Sequence, residues 1–530
     1  MKTTQQFKRT ALVTALATCL LAGSAFAQDA APADQAPAKA QNLETVTVTG
    51  SRIRSADIET AQPVFTMDRQ AIKATGLTNV DDILARMPSA GTPDITPQDT
   101  LSSGADVGGR YVNIRNLGSQ RTLVLVNGRR WSSSLSGLTD LSTIPVSMID
   151  RIDILKDGAS SIYGSDAIGG VVNIITRERF DGAEANVYYG QNGGGDGEQK
   201  NVDFTWGHST ANNSLILGAS YQDTKPMWNR DRNETRYANG PRHPTDGLGG
   251  GPYGRVTGPD GTTYIINHGP GVSANSANIN DYHVFEGDPS DLYNTQSDMT
   301  FRSGSKLKNL FLQDRYKLTD NITLRGAASY STRDSSSQLS GYPFQTASGR
   351  GDDGIQISPD NAYNPFPGQA TDFYRRTVEM PRVTWSNSRM AHIDFGAEGY
   401  FNVGSHEWNW DATYVYSNTK IRQTSTGNIY LPNAEKALGP TTMVGGQPVC
   451  ADAADRAAGC VPWNILAGPG GTPQSVWNYV NSVSTARQES QTDDITLNVG
   501  GGLFDLPGGT VNIAGGVEHR REKGSFRPDT

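Results

Sequence analysis

From about residue 181 onward, apolar and polar residues alternate strictly. Ile322, Leu324, Gly326, Ala328 and Tyr330 fall on one face, and Thr323, Arg325, Ala327 and Ser329 on the other. Ile393, Phe395, Ala397, Gly399 and Phe401 oppose His392, Asp394, Gly396, Glu398 and Tyr400, and Trp408, Trp410, Ala412, Tyr414 and Tyr416 repeat the pattern. A period of two is the pattern of a strand with one apolar and one polar face. It predicts strands over 184–190, 201–208, 214–222, 307–317, 321–330, 390–401, 407–417, 493–500 and 510–519, with a weaker candidate over 298–303. The segments 224–297 and 424–490 are read as long loops. Strands of this length with aromatics near their ends and long loops between them fit a transmembrane antiparallel β-barrel, with lipid outside and a wet interior. A soluble sandwich would use the apolar face as core, but it has no need of loops so long.

Residues 57–177 follow another rhythm. Thr66 and Asp68 suggest a capped helix start running to Ile72. Val80, Ile83, Leu84 and Met87 mark one face of a helix that Pro88 stops. Strands are expected over 111–115, 122–126, 149–155 and 171–176, with Asn127-Gly128 as a turn and 159–163 as one turn of helix. This is a small α+β domain, assigned to 51–178 and followed by the strand-rich region 181–530.

The N-terminus is an address. Lys2, Lys8 and Arg9 precede an apolar run over 11–23 and the cleavage signal Ala25-Phe26-Ala27, so 1–27 is read as a secretory signal peptide. Cys19 approximates a lipoprotein signal poorly, because Thr18 precedes it. Residues 28–43, mostly Ala, Pro, Gln and Asp, are expected to form a flexible tether. Glu44, Thr45, Val46, Thr47, Val48, Thr49 and Gly50 alternate again. Taken alone, this segment is either the first strand of the next domain or a strand that adds itself to another protein's sheet.

Composition narrows the picture further. Of 530 residues 59 are glycine, and mean hydropathy is −0.50. No apolar run of about 20 residues exists, which excludes a helical-bundle membrane protein. Loss of 1–27 moves the net charge from −8 to −11, the opposite of a nucleic-acid binder. Three cysteines are too few for a disulfide scaffold. The two that remain after cleavage, Cys450 and Cys460, are expected to pair in an oxidising compartment. No metal site is expected: Gly351-Asp352-Asp353-Gly354 with Asp360 lacks the ligand order of a calcium loop and reads as a solvated turn. No phosphate-binding, zinc-protease or nucleophile-elbow motif occurs, so no enzyme and no cofactor are indicated. Trp228, Tyr253, Trp463, Trp477 and Tyr479 fall in loops, where exposed rings can stack on sugars or aromatic chelators, or simply pack.

Two long motifs carry a resemblance. Asn113-Ile114-Arg115-Asn116-Leu117-Gly118-Ser119-Gln120-Arg121 leads through Thr122–Val126 to Asn127-Gly128-Arg129-Arg130. The second motif, 144–176, contains Ile154-Leu155-Lys156-Asp157-Gly158-Ala159-Ser160-Ser161-Ile162-Tyr163-Gly164-Ser165-Asp166-Ala167-Ile168-Gly169-Gly170. With the order of segments, they resemble the plug domain of TonB-dependent outer-membrane receptors, although that family often has Pro where Asp157 stands. The resemblance is strong over 44–177 and architectural beyond. It implies that Glu44 to Gly50 is a TonB box, bound by TonB of the inner-membrane energy complex. It implies plug-motif roles for Arg115, Gly118, Arg121, Asn127, Gly128, Arg129, Tyr163, Gly164, Asp166, Gly169 and Gly170. It also implies a location in the outer membrane of a Gram-negative bacterium, in contact with lipid, and TonB-dependent import of a ligand: siderophore, cobalamin, saccharide or peptide. A passive porin or adhesin-like barrel is the alternative, though neither needs a box or plug. The tether is too short for the extra domain of signalling members. Inside the barrel, Arg110, Arg115, Arg121, Arg129, Arg130 and Arg151 are expected to meet inward acids such as Asp203, Asp394, Glu398, Asp411 and Asp494. About ten strands against the roughly 22 of a plugged transporter lead us to expect an N-terminal fragment holding about half of the barrel.

Overall fold

The computed structural model describes residues 64–98, 107–346 and 354–529, so the signal, tether and box segments lie outside the described residues. The first described element is a strand, β1 (Val64–Asp68), where a helix start was expected. Long-range pairing overrides the local signal: Thr66 lies opposite Asp153 and donates a hydrogen bond to its Oδ1 at 2.9 Å. Asp68 then caps α1 (Arg69–Ala74), accepting from the Ala71 N–H at 2.8 Å. The helix α2 (Val80–Leu84) follows, with its apolar face fully buried.

Residues 111–115 do not form the expected strand. Ile114 makes one isolated bridge to Ala90, and Arg115 and Asn116 then adopt left-handed φ angles of 59° and 57°, which end any extended run. The remaining plug-region elements are β2 (Thr122–Val126), β3 (Arg129–Arg130), β4 (Ile149–Leu155), α3 (Ser160–Tyr163) and β5 (Gly170–Thr176). Asn127 and Gly128, at φ 50° and 77°, close the tight β2–β3 turn that their types favour. The sheet order is β1-β4-β5-β2-β3, with β2 and β5 parallel and the other pairs antiparallel. Every residue of β2 is buried, as expected of an apolar strand covered on both faces. One face packs with α1, α2 and Trp131, while Leu123, Leu125, Leu155 and Val171 form the other core.

Nine long strands make one antiparallel sheet in chain order: β6 (Gly182–Gly190), β7 (Gln199–Ser209), β8 (Asn213–Thr224), β9 (Gly304–Thr319), β10 (Ile322–Leu339), β11 (Arg382–Val403), β12 (His406–Ile429), β13 (Asn481–Leu506) and β14 (Gly509–Pro528). Each of the nine firmer strand predictions falls in one of them. The weaker candidate, Thr300–Arg302, is a strand but pairs with Met227–Trp228 in a separate two-stranded sheet. Leu310, Ile393, Phe395, Ile495, Leu497 and Val517 project from the exposed face, and Asn309, Gln313, Ser331, His392 and Asp394 lie on the buried one. No helix among the described residues is long and apolar enough to cross a membrane, whereas strands cross in about ten residues.

The strands outrun their expected bounds. β12 has 24 residues and β13 has 26, so the loop read as 424–490 shrinks to 430–480. Beyond the apolar band both faces are polar, as at Ser484 and Thr485 paired with Ser425 and Thr424, and alternation gives no signal there. The connections are asymmetric. Residues 210–212, 320–321, 404–405 and 507–508 turn tightly at one end, while 225–303, 340–381 and 430–480 emerge at the other.

Those three long segments fold together. Tyr282–Val284, Thr263–Ile266 and Arg255–Thr257 from the first join Asp372–Arg376 and Pro343–Gln345 from the second in one five-stranded sheet. The third contributes helices Leu431–Ala437 and Gln474–Val480. Phe344, Phe373, Trp463 and Trp477 are buried at the centre, with Phe344–Phe373 centroids 5.0 Å apart and Trp463–Trp477 5.5 Å apart. The loop aromatics are therefore packing residues rather than open stacking platforms. Tyr253 stacks on His268 at 3.9 Å, Tyr479 leans on the same core, and Trp228 is covered by the Arg230 guanidinium. The structure bonds Cys450 to Cys460, Cα atoms 6.2 Å apart, at the base of the hairpin Thr441–Val444/Gln447–Cys450. Closing so small a loop contributes about 3 kcal/mol. Mass spectrometry of an unreduced digest of the mature protein is expected to find the two cysteines joined; both thiols alkylated without reduction would refute it.

Candidate functional site

The candidate site is the face along which the α+β domain meets the nine-stranded wall, together with the glycine-rich turns that shape that domain. At one end of β2 and β5, Gly118 adopts φ 101° and donates its N–H to Asn113 Oδ1 at 3.0 Å. Gly169 donates to the Arg121 carbonyl at 2.7 Å, and a Cβ on Gly170, at φ 139°, would stand 2.6 Å from the Leu155 carbonyl. Both positions require close backbone approach that only glycine permits. Arg115 donates to the Ile168 carbonyl at 3.3 Å and Arg121 to the Leu117 carbonyl at 3.0 Å. Arg130 reaches Asp166 at 2.6 Å and the Tyr163 carbonyl beside Gly164. Asn127 and Gly128 lie at the opposite end. The Asn127 amide donates to Thr176 Oγ1 at 2.8 Å, and the Gly128 N–H donates to Asn173 Oδ1 at 2.9 Å. The motif thus splits between the two ends of one parallel strand pair.

The domain docks on polar side chains. Thr176 Oγ1 donates to Gln313 Oε1 at 2.6 Å, and Gln313 Nε2 donates to the Arg177 carbonyl at 3.0 Å. Asn309 donates to the Ser142 carbonyl, Ser331 to the Thr143 carbonyl, and Ser132 and Thr419 share a hydrogen bond at 2.6 Å. Trp131 lies 4.2 Å from the His392 ring. Arg333 pairs with Asp140 at 2.9 Å. Of the expected arginine–acid pairs, the structure contains Arg129–Asp394, at 3.3 Å with both side chains nearly buried. The others differ. Arg110 and Arg151 turn to Asp81 and Asp153 within their own domain, and Arg115 and Arg121 to backbone carbonyls. On the wall, Asp203 accepts from Asn186, Glu398 pairs with Arg315 at 2.7 Å, and Asp411 accepts from Asn498. Alternation identifies which wall residues face inward, but not the height at which an arginine of the inner domain meets them.

Several working contacts carried no sequence signal. Arg333–Asp140 and Gln313–Thr176 join ordinary polar residues that are far apart in the chain. Burial raises the Asp81 carboxyl above its usual range, against the pull of Arg110, which donates to both its oxygens at 2.8 and 3.1 Å. In the loop assembly Arg375 is fully buried; burial lowers its pKa, and the neighbouring Glu379 opposes that shift.

The model of the TonB-dependent receptor plug domain matches residues 56–171, which contain β1 to α3 and reach into β5. Those residues form a domain of the TonB-dependent receptor plug type. Among solved structures, the chain is similar to the siderophore receptor PiuA from Acinetobacter baumannii, at 13% identity over 91% of this chain and 64% of that one, with a TM-score of 0.39. It is also similar to the ferric citrate transporter FecA, at 14% identity over 91% and 62%, TM-score 0.42. A third is the ferric enterobactin receptor PfeA of Pseudomonas aeruginosa, at 16% identity over 91% and 60%, TM-score 0.37. This chain thus spans under two thirds of the length of those proteins.

Proposed function

We propose that the protein imports a ligand across the outer membrane of a Gram-negative bacterium, gated by the plug and energised by TonB. In this reading 1–27 direct export, 28–43 tether, and Glu44, Thr45, Val46, Thr47, Val48, Thr49 and Gly50 pair as a strand with TonB. The plug then moves within the wall, which lipid surrounds. Transport rather than catalysis is its work, and no cofactor takes part. The observation that carries this is the dock itself. A matched plug is held to the polar face of an otherwise lipid-suited sheet by hydrogen bonds and ion pairs, contacts that water can replace when the plug moves. The ligand is a siderophore, corrinoid, saccharide or peptide that binds between the loop assembly and the plug.

Uptake profiling of a deletion strain, complemented with the gene and supplied in turn with ferric chelates, corrinoids, saccharides and peptides, tests the reading. One class is expected to enter only with the gene present and to stop on addition of a protonophore. Uptake that persists in the protonophore would favour the passive pore.

A further inference from the structure

The plug touches the nine-stranded wall along two stretches. Against β9 to β12 it has the Gln313, Asn309, Ser331, Arg333, Asp394 and Thr419 contacts given above. Against β6 to β8, Met148 seats on Ile216 and reaches Phe311 of β9, and Gln199 donates to Thr78 Oγ1 at 2.6 Å. Beside these, a cavity of about 310 Å³ separates α1 and the 141–147 segment from Asn186, Asn201, Asp203, Gln222 and Asn309. Around it Gln222 Nε2, Asn309 Oδ1 and Ser142 Oγ are buried without a hydrogen-bond partner.

One carboxylate closes this side. Glu184, on β6, receives Arg177 at 2.7 Å, Lys73 at 2.8 Å and Arg69 at 3.2 Å. Arg69 and Lys73 lie one turn apart on α1, directly behind β1, the outermost strand of the plug sheet. Arg177 is the first residue after β5, where the chain leaves for the wall. Glu184 thus ties both ends of the plug to one point. Three cations share one anion, so neutralising Glu184 would do more than delete three contacts: it would leave like charges facing one another. Removing one cation leaves the hub attractive. Lys73, the most exposed of the three, matters least.

We propose that Glu184 is the latch of the plug's leading end, and that release begins with β1 and α1 leaving the β6–β8 side while the plug stays docked on β9–β12. This deepens the import reading and rests on it for its purpose. The test reads amide hydrogen exchange of the full chain in detergent micelles, without ligand or TonB. Glu184→Gln is expected to speed exchange across Val64–Ala74 by about tenfold or more while Thr122–Val126 and Gly170–Thr176 keep their rates. Lys73→Gln is expected to change it by less than about threefold, and Glu184→Asp to retain most of the protection. Unchanged exchange over Val64–Ala74, or equal acceleration through the whole plug, would overturn the proposal. Because no uptake is measured, either of those results leaves the import reading standing, and a failed uptake assay leaves the exchange pattern interpretable.

Discussion

Val46→Pro is expected to abolish uptake while ligand binding stays at the wild-type level. The segment 44–50 alternates Val46 and Val48 with threonines, the pattern of a strand that offers backbone groups to a partner. Proline removes the N–H at its centre and fixes φ near −65°, so the ladder with TonB cannot run through it. On the proposed import reading energy transfer runs through that ladder, so initial uptake is expected to fall to the level seen with protonophore. Val46→Thr keeps a β-branched residue and the N–H, and is expected to retain most transport. Radiolabelled or fluorescent ligand separates the two steps: binding at 0 °C measures the outer site, accumulation at 37 °C the coupling. Wild-type accumulation in the proline variant would remove 44–50 from the mechanism.

Arg375→Met is expected to loosen the loop assembly and leave the plug and wall intact. The guanidinium donates to the Pro252 carbonyl at 2.9 Å, Thr472 Oγ1 at 2.9 Å, the Gly468 carbonyl at 2.7 Å and Glu379. These groups come from all three long segments, so one side chain fastens them together. Methionine fills similar volume but leaves two carbonyls without that donor and a largely buried carboxylate uncompensated, a loss of about 3–5 kcal/mol. The part of the near-ultraviolet dichroism that Trp463 and Trp477 contribute is expected to melt well below the wall's transition, with trypsin cutting within 225–303, 340–381 and 430–480. Adding Glu379→Leu is expected to recover part of the loss, but not all, because Glu379 Oε1 also accepts from the Gly470 N–H at 3.2 Å. Coincident loss of all structure would show that the assembly has no separate stability.

How legible each part was depends on whether the deciding force is local. Wall strands were legible where one face meets an apolar environment, as at Ile393 and Phe395, and illegible where both faces are wet, as at Ser484 and Thr485. The turn at Asn127-Gly128 was legible because its φ angles demand those residue types. The strand β1 was not, since Thr66 to Ile72 satisfies helix-start chemistry and only Asp153, far along the chain, decides otherwise. Glycines of the plug motif could be named from sequence, but of its arginines only Arg129 meets an acid named in advance, Asp394. Glu184 was invisible for the same reason: nothing local distinguishes it from any other inward carboxylate. The loop aromatics illustrate the remaining gap. Trp463 and Trp477 carry no period, so whether they stack on a ligand or on each other depends on contacts between segments remote in sequence.

The loop assembly with its own core has a consequence for how such a protein diverges. Its buried members come from the three long segments and the strand end at Ile429, whereas the plug's buried clusters draw on the wall at Met390, Ile216 and Phe311. The two bodies can therefore accumulate substitutions on separate accounts. Exposed positions such as Met443 and Val444, at the tip of a hairpin anchored by Cys450, can change or lengthen at a loop-closure cost of about 0.6 kcal/mol per doubling. A lineage could then acquire a new outer specificity, or evade an agent that recognises the old one, while inheriting the gate and its latch unaltered.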